Sequence, residues 1–284
     1  MNSITPELAQ RLSAAVERMP AFPKSVQKIL ELTRDPNCSP KELVQVIDKD
    51  PVVTVKILRV VNSTYFALPR QITSVDHAVV YLGFNTIKNL ALGIASIGIL
   101  PSQNSANFDG HLYLLHSLST AGIARLLALR MRNVDPNDGF LAGLLHDFGK
   151  VVLALHMPNE FREALERSGS SGASLHVTLR ETLGADHALI GAMLVERWRF
   201  PTHIVEAIRQ QSDGTQIQDN ALVACVFAAN QLCKHLGYGF AGNPCVEPFP
   251  EVVAQLTGGP LEWLLAEMGD FSSVYDEATM FSKT

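Results

Sequence analysis

Two histidines and one aspartate are the residues of this sequence with the clearest potential for chemistry. His146 and Asp147 are adjacent inside the apolar segment Leu144–Lys150, and His116 lies thirty residues earlier in a second apolar segment. Imidazole nitrogens and a carboxylate are ligands that zinc, iron and manganese accept. A metal held by them would lower the pKa of a bound water and polarise a phosphate group. The three residues therefore form a candidate metal site.

Helices must position these residues, because strand-like alternation is nearly absent from the sequence. The apolar spacing predicts one helix at about 108–132, which carries His116, and one at about 137–156, which carries the His-Asp pair. Proline and capping residues predict further helix starts at Ser39-Pro40 and Asp50-Pro51. The sequence therefore predicts an all-α fold.

A stretch rich in Ser, Asn and Gln near residues 100–110 divides the chain into two predicted helical lobes. The first covers residues 1–105 and the second covers residues 106–284. His187 lies in the second lobe, on the apolar face of a predicted helix. It is either a further metal ligand or a structural histidine that closes a buried hydrogen bond.

Composition restricts the class of protein. The chain of 284 residues is 47% hydrophobic, and its net charge is −5 with no basic stripe, so we expect no nucleic-acid partner. The four cysteines lack the spacing of a zinc or redox motif. There is no signal-peptide pattern and no run of about 18 uncharged apolar residues. We expect a cytoplasmic protein with no membrane partner.

Several ordered motifs resemble the HDOD domain (HD-related output domain) of bacterial signalling proteins, a branch of the HD phosphohydrolase superfamily. The resemblance covers roughly residues 15–240. The motifs that carry it are Met19–Pro23, Ile47–Pro51, Val60–Ser63, Ala78–Gly83, Leu141–Lys150 and Gly184–Gly191 with Trp198 and Pro201. The resemblance implies that the second lobe is an HD-like helical domain.

The sequence departs from catalytic members of the superfamily at the remaining ligand positions. The stretch Ala207–Ser212, with its neutral glutamines, stands where further histidines are expected. Asn230 stands where a closing aspartate is expected, and no Gly-Tyr-Pro run follows the His-Asp pair. The departures predict a degenerate site with no catalytic residues and no required cofactor. At most, His116, His146 and Asp147 would bind iron, zinc or manganese weakly.

Two functions from different classes remain open. The resemblance implies a non-catalytic signal-transduction module that binds another signalling protein in trans, because the sequence contains no receiver, GGDEF or kinase segment; a homodimer is also plausible. The alternative is a metal-dependent phosphohydrolase acting on a nucleotide or phosphoester. In that case Lys150 or Arg209 would bind phosphate, and Gln210 or Asn230 would serve as neutral ligands. A third hypothesis is a pocket that senses a nucleotide without hydrolysing it.

Overall fold

The structure, a computed structural model, describes residues 4–20, 24–32, 38–63, 66, 68–97 and 105–282. All regular secondary structure among these residues is helical. No strand occurs among these residues, which confirms the predicted all-α fold. Residues 21–23 of the Met19–Pro23 motif and residues 98–104 of the predicted lobe boundary lie outside the described residues. By its internal contacts the chain divides into two compact units.

The smaller unit covers Pro20–Leu100 and contains five helices within its described residues. They are α2 (Lys24–Leu32), α3 (Pro40–Asp48), α4 (Pro51–Val61), α5 (Val75–Leu82) and α6 (Phe84–Ile97). The predicted caps are present: Ser39 and Glu42 form a reciprocal capping box at α3, and Asp50 accepts from Val53 N at α4. Branched apolar side chains fill the core of this unit, including Ile47 and Ile57, which are fully buried.

The larger unit covers Met1–Met19 and Pro101–Thr284. Its first eight helices are α1 (Pro6–Glu17), α7 (Gly110–Ala128), α8 (Pro136–Leu145), α9 (Phe148–His156), α10 (Pro158–Ser171), α11 (Leu175–Leu183), α12 (His187–Arg197) and α13 (Thr202–Gln210). They are followed by a short 3₁₀ turn at Gly214–Gln216, then α14 (Ala221–His235), α15 (Glu251–Thr257), α16 (Leu261–Met268) and α17 (Ser272–Ser282). Helix α7 packs against both α8 and α14, which places it at the centre of this unit.

The first helix belongs to the larger unit, whereas the sequence assigned all of residues 1–105 to the first lobe. Helix α1 packs against α9 and α12. Arg197 at the end of α12 donates a hydrogen bond to Val16 O at 2.9 Å. The apolar side of α1, with Leu12 and Val16 buried, therefore contributes to the same core as the His-Asp pair.

The helix predicted at about 137–156 is interrupted at the residues of greatest interest. Helix α8 ends at Leu145, α9 begins at Phe148, and His146 and Asp147 form the junction between them. Just after this junction α9 lies against α12: a Cβ built on Gly149 would be 1.9 Å from His187 O. Only glycine lets α9 approach the backbone of α12 so closely. The break allows two consecutive side chains to serve one site.

The stretch Pro136–His156 is apolar and long enough to be considered as a membrane span. Of its most apolar window, 89% is buried inside the protein. Helices α7 and α12 supply much of that cover. The stretch has the surroundings of a core helix.

Candidate metal centre

The three predicted ligands meet in one buried cluster. The Nε2 atom of His146 lies 3.2 Å from Asp147 Oδ2, and the Nε2 atom of His116 lies 3.6 Å from the same oxygen. The two imidazole centroids are 5.4 Å apart. His116 is 2% exposed, and the other two side chains are completely buried. Packing of α7 against the α8–α9 junction therefore produces the convergence that the sequence predicted.

The hydrogen bond on the far side of His146 fixes which ring nitrogen carries the proton. Its Nδ1 lies 2.7 Å from Gly143 O. A carbonyl oxygen only accepts, so Nδ1 must donate, and Nε2 is left as an unprotonated acceptor in the neutral ring. Metal-bound histidines are typically oriented by such a bond on the second nitrogen.

Three acceptors therefore face one another. The Nε2 atoms of His116 and His146 have no hydrogen-bond partner, and both are directed at the Asp147 carboxylate. One ligand atom from each of the three residues falls within a mutual distance of 4.8 Å. Facing acceptors repel one another unless a cation or a donor lies among them. The donor set thus fits a single divalent ion of the zinc, iron or manganese type.

One cation is already supplied by the protein. Lys150 Nζ lies 2.6 Å from Asp147 Oδ2, one helical turn further along, and its side chain is almost completely buried. The only carboxylate of the cluster is therefore neutralised from within. A metal ion would have to share Asp147 with this ammonium group, which weakens its binding.

The surroundings hold the ligands in the protonation states that metal binding requires. Burial alone would raise the pKa of Asp147, but the Lys150 ammonium in contact with the carboxylate helps to lower that pKa well below its usual range. Burial, reinforced by His146, lowers the pKa of His116 well below its usual range. Asp147 is thus ionised and His116 neutral near pH 7.

His187 contacts the carboxylate from the opposite side. Its Nε2 lies 3.1 Å from Asp147 Oδ1, and it is the first residue of α12. Burial, followed by repulsion from Lys150, lowers the pKa of His187 to about 4. The group of ligand atoms that lie within 4.8 Å of one another contains His116, His146 and Asp147 but not His187, so the geometry favours the structural interpretation of His187 over the ligand interpretation.

The predicted replacements for missing ligands have different positions. Gln210 is exposed, and Arg209 lies 3.4 Å from Glu196 at the surface, so neither reaches the cluster. The neighbouring Gln211 is the buried residue: its Nε2 donates to His146 O at 3.0 Å. Asn230 is buried on α14, and its Oδ1 has no hydrogen-bond partner. The sequence indicated the correct helix end, but the predicted residue was Gln210, whereas the residue that faces inward is Gln211, one position later.

Comparison with known proteins identifies what the chain is similar to. The family model described as the HDOD domain matches residues 19–214. A solved HDOD domain protein of unknown function from Geobacter sulfurreducens superposes with a TM-score of 0.75 at 24% identity, covering 97% of this chain and 98% of that one. A Marinobacter aquaeolei VT8 structure, provisionally described as a signal transduction protein, gives a TM-score of 0.74 at 25% identity over 97% of this chain and 65% of its own.

Two further relatives are curated proteins longer than this chain. One, from Treponema pallidum (strain Nichols), is 25% identical over 72% of this chain and 40% of its own length. The other, YuxH of Bacillus subtilis (strain 168), is 28% identical over 44% of this chain and 32% of its own length. The chain thus spans less than half the length of the curated relatives it matches.

Proposed function

The chain belongs to the HDOD domain family, and we propose that it is a non-catalytic signal-transduction output module built on a degenerate HD metal site. In this proposal the module acts by binding a signalling protein, and the buried cluster of His116, His146 and Asp147 has a structural role. Iron, zinc or manganese bound by His116, His146 and Asp147 would supply Lewis acidity to that cluster. The residues themselves hold the junction between α8 and α9 in place.

The observation that carries the proposal is the state of Asp147. It is the sole carboxylate of the described cluster, it is fully buried, and it is paired with Lys150. A hydrolytic metal needs an open coordination position and an approach for substrate. Instead, the three ligands are 2% exposed or less, and Gln211, the buried side chain that contacts the junction at His146 O, is a neutral amide. This arrangement favours a binding role over turnover.

The partner side of the proposal rests on family membership and on the solved structure provisionally described as a signal transduction protein. We propose that the partner is a signalling protein on a separate polypeptide. A homodimer is the second partner that we propose, and the proposed location is the cytoplasm. Because the curated relatives extend well beyond the matched region, a partner domain in such relatives could lie on the same polypeptide.

The proposal is tested by assaying the protein with bis-p-nitrophenyl phosphate and p-nitrophenyl phosphate in the presence of Mn²⁺ or Fe²⁺. The control is the His146→Ala variant, which removes one Nε2 ligand. We expect the two proteins to release nitrophenol at the same background rate. Metal-dependent release by the native protein that the variant loses would replace the proposal with the hydrolase alternative.

One observation favours that alternative, a metal-dependent phosphohydrolase. The two unpartnered Nε2 atoms and Asp147 are arranged as a metal ligand set, with His146 already oriented by Gly143 O. A Shewanella amazonensis SB2B structure provisionally described as a phosphohydrolase shares the fold, with a TM-score of 0.75 at 23% identity. Lys150 would then have to leave Asp147 to bind phosphate.

A further inference from the structure

A buried thiol lies on the far side of His116 from the cluster. Cys233 Sγ is 3.4 Å from His116 Nδ1, and both residues are buried where α14 packs against α7. Two carbonyl oxygens also surround the sulfur: Tyr238 O at 3.2 Å and His116 O at 3.6 Å. The thiol therefore touches the one ring nitrogen of His116 that does not face Asp147.

The distances around the sulfur favour one direction for these hydrogen bonds. A neutral thiol has one proton, and Tyr238 O, the nearer carbonyl, can only accept it. With the thiol proton on Tyr238 O, the sulfur lone pair faces His116 Nδ1, which then carries the ring proton and donates it. Nε2 of His116 becomes an unprotonated acceptor directed at Asp147, which agrees with its lack of a hydrogen-bond partner.

We infer that Cys233 is a positioning residue that fixes the tautomer and ring orientation of His116 for binding of a divalent metal ion. It does for His116 what Gly143 O does for His146, so both imidazoles present Nε2 to the same point. The inference goes beyond the proposed function, because it holds whether the metal centre is structural or catalytic.

The turn after α14 holds the thiol in place. Tyr238 N donates to Cys233 O at 3.1 Å while the thiol donates back to Tyr238 O, so residue and turn are joined twice. Gly239, at φ +73°, brings the turn against α7: a Cβ there would lie 2.3 Å from His116 N. Phe240 N donates to Leu112 O at 3.0 Å. The sulfur is thereby fixed relative to the imidazole it orients.

The tautomer of His116 can be read directly in metal-free protein treated with a chelator. Long-range ¹H–¹⁵N correlation spectra of the native protein should show the proton on Nδ1 of both His116 and His146. In Cys233→Ala, His116 alone should shift toward the Nε2-protonated form. Native protein with His116 protonated at Nε2 would overturn the inference without reference to any variant.

Metal affinity gives the second readout, by titration with Co²⁺ followed in the visible spectrum. Cys233→Ala should bind Co²⁺ about tenfold to a hundredfold more weakly, the usual effect of losing an orienting group behind a ligand. Cys233→Ser, whose hydroxyl both donates and accepts, should recover most of that loss. Equal affinity of the native protein and Cys233→Ala would refute the role.

Cys225→Ala is the matched control. Cys225 lies on the same helix, is equally buried and donates its thiol proton to Ala124 O at 3.3 Å, so its thiol bonds to a backbone carbonyl and not to a metal-ligand imidazole. Both alanine variants create a similar cavity, so a purely structural role predicts the same change for both. We expect Cys225→Ala to keep the native Co²⁺ affinity and the native His116 tautomer; a loss equal to that of Cys233→Ala would overturn the inference.

Discussion

Replacing Lys150 by methionine tests the electrostatic account of the cluster. Methionine keeps the length of the side chain and removes its charge. Asp147 is fully buried, and Lys150 is 2% exposed and contacts it at 2.6 Å. Removing one partner of a buried ion pair leaves an uncompensated charge and costs about 3–5 kcal/mol. We therefore expect Lys150→Met to lower the free energy of unfolding by that amount in a chelator.

The same variant should bind metal more tightly than the native protein. With the ammonium gone, a divalent ion becomes the only cation that can neutralise Asp147 and satisfy the two facing Nε2 atoms. Mn²⁺ at about a hundred times its dissociation constant would restore about 2.7 kcal/mol. Added Mn²⁺ should thus restore more than half of the stability that the variant loses in chelator.

The assay is urea unfolding of the native protein and the variant, each in EDTA and in excess Mn²⁺. Lys28→Met is the control, because Lys28 forms an exposed pair with Glu31 at the same i, i+3 spacing and should cost at most about 1 kcal/mol. The reasoning is refuted if Lys150→Met in EDTA lies within about 1 kcal/mol of the native protein. It is also refuted if Mn²⁺ stabilises the variant no more than it stabilises the native protein.

Three further predictions concern close approaches and protonation. Gly149→Ala places a Cβ 1.9 Å from a backbone oxygen of α12 and should cost about 3 kcal/mol or more, whereas Gly169→Ala, with open space around it, should gain up to about 1 kcal/mol by urea unfolding. Gly239→Ala would clash with the backbone of α7. It should lower the melting temperature well below that of Gly237→Ala, a variant in which only the left-handed backbone costs energy, about 1–2 kcal/mol. Because the pKa of His187 falls from about 6.5 in the unfolded chain to about 4 on folding, its stability contribution is complete above pH 6.5. About 3 kcal/mol of the free energy of unfolding should be lost as the pH falls to 4. The free energy of unfolding of His187→Gln should depend less steeply on pH, and equal slopes for the two proteins would contradict the prediction.

Local rules were sufficient for much of the fold. The capping box at Ser39 and the Asp50-Pro51 helix start were readable because they depend on neighbouring residues only. The helix carrying His116 was also predicted, and α7 (Gly110–Ala128) lies within the expected range of about 108–132. Capping residues and apolar periodicity are local signals, so the sequence alone predicts these features.

The features that decide the chemistry depend on residues distant in sequence. The break at His146–Asp147 lies next to the close approach of Gly149 to α12, and no pattern within the helix reveals that contact. The contact of Cys233 with His116 joins residues on α14 and α7, and a lone cysteine in an apolar helix carries no signal for it. The inward position of Gln211 depends on where α13 ends, and a helix boundary is predictable only to within a few residues.

The metal content of protein purified without chelator tests the central claim most directly. It is measured by inductively coupled plasma mass spectrometry beside the His146→Ala/Asp147→Ala double variant. Because Lys150 already neutralises the only carboxylate of the described cluster, we expect iron, zinc and manganese together to be well below one ion per chain in the native protein. Close to one ion per chain, lost in the double variant, would contradict the account and show that the HD site retains a tightly bound metal.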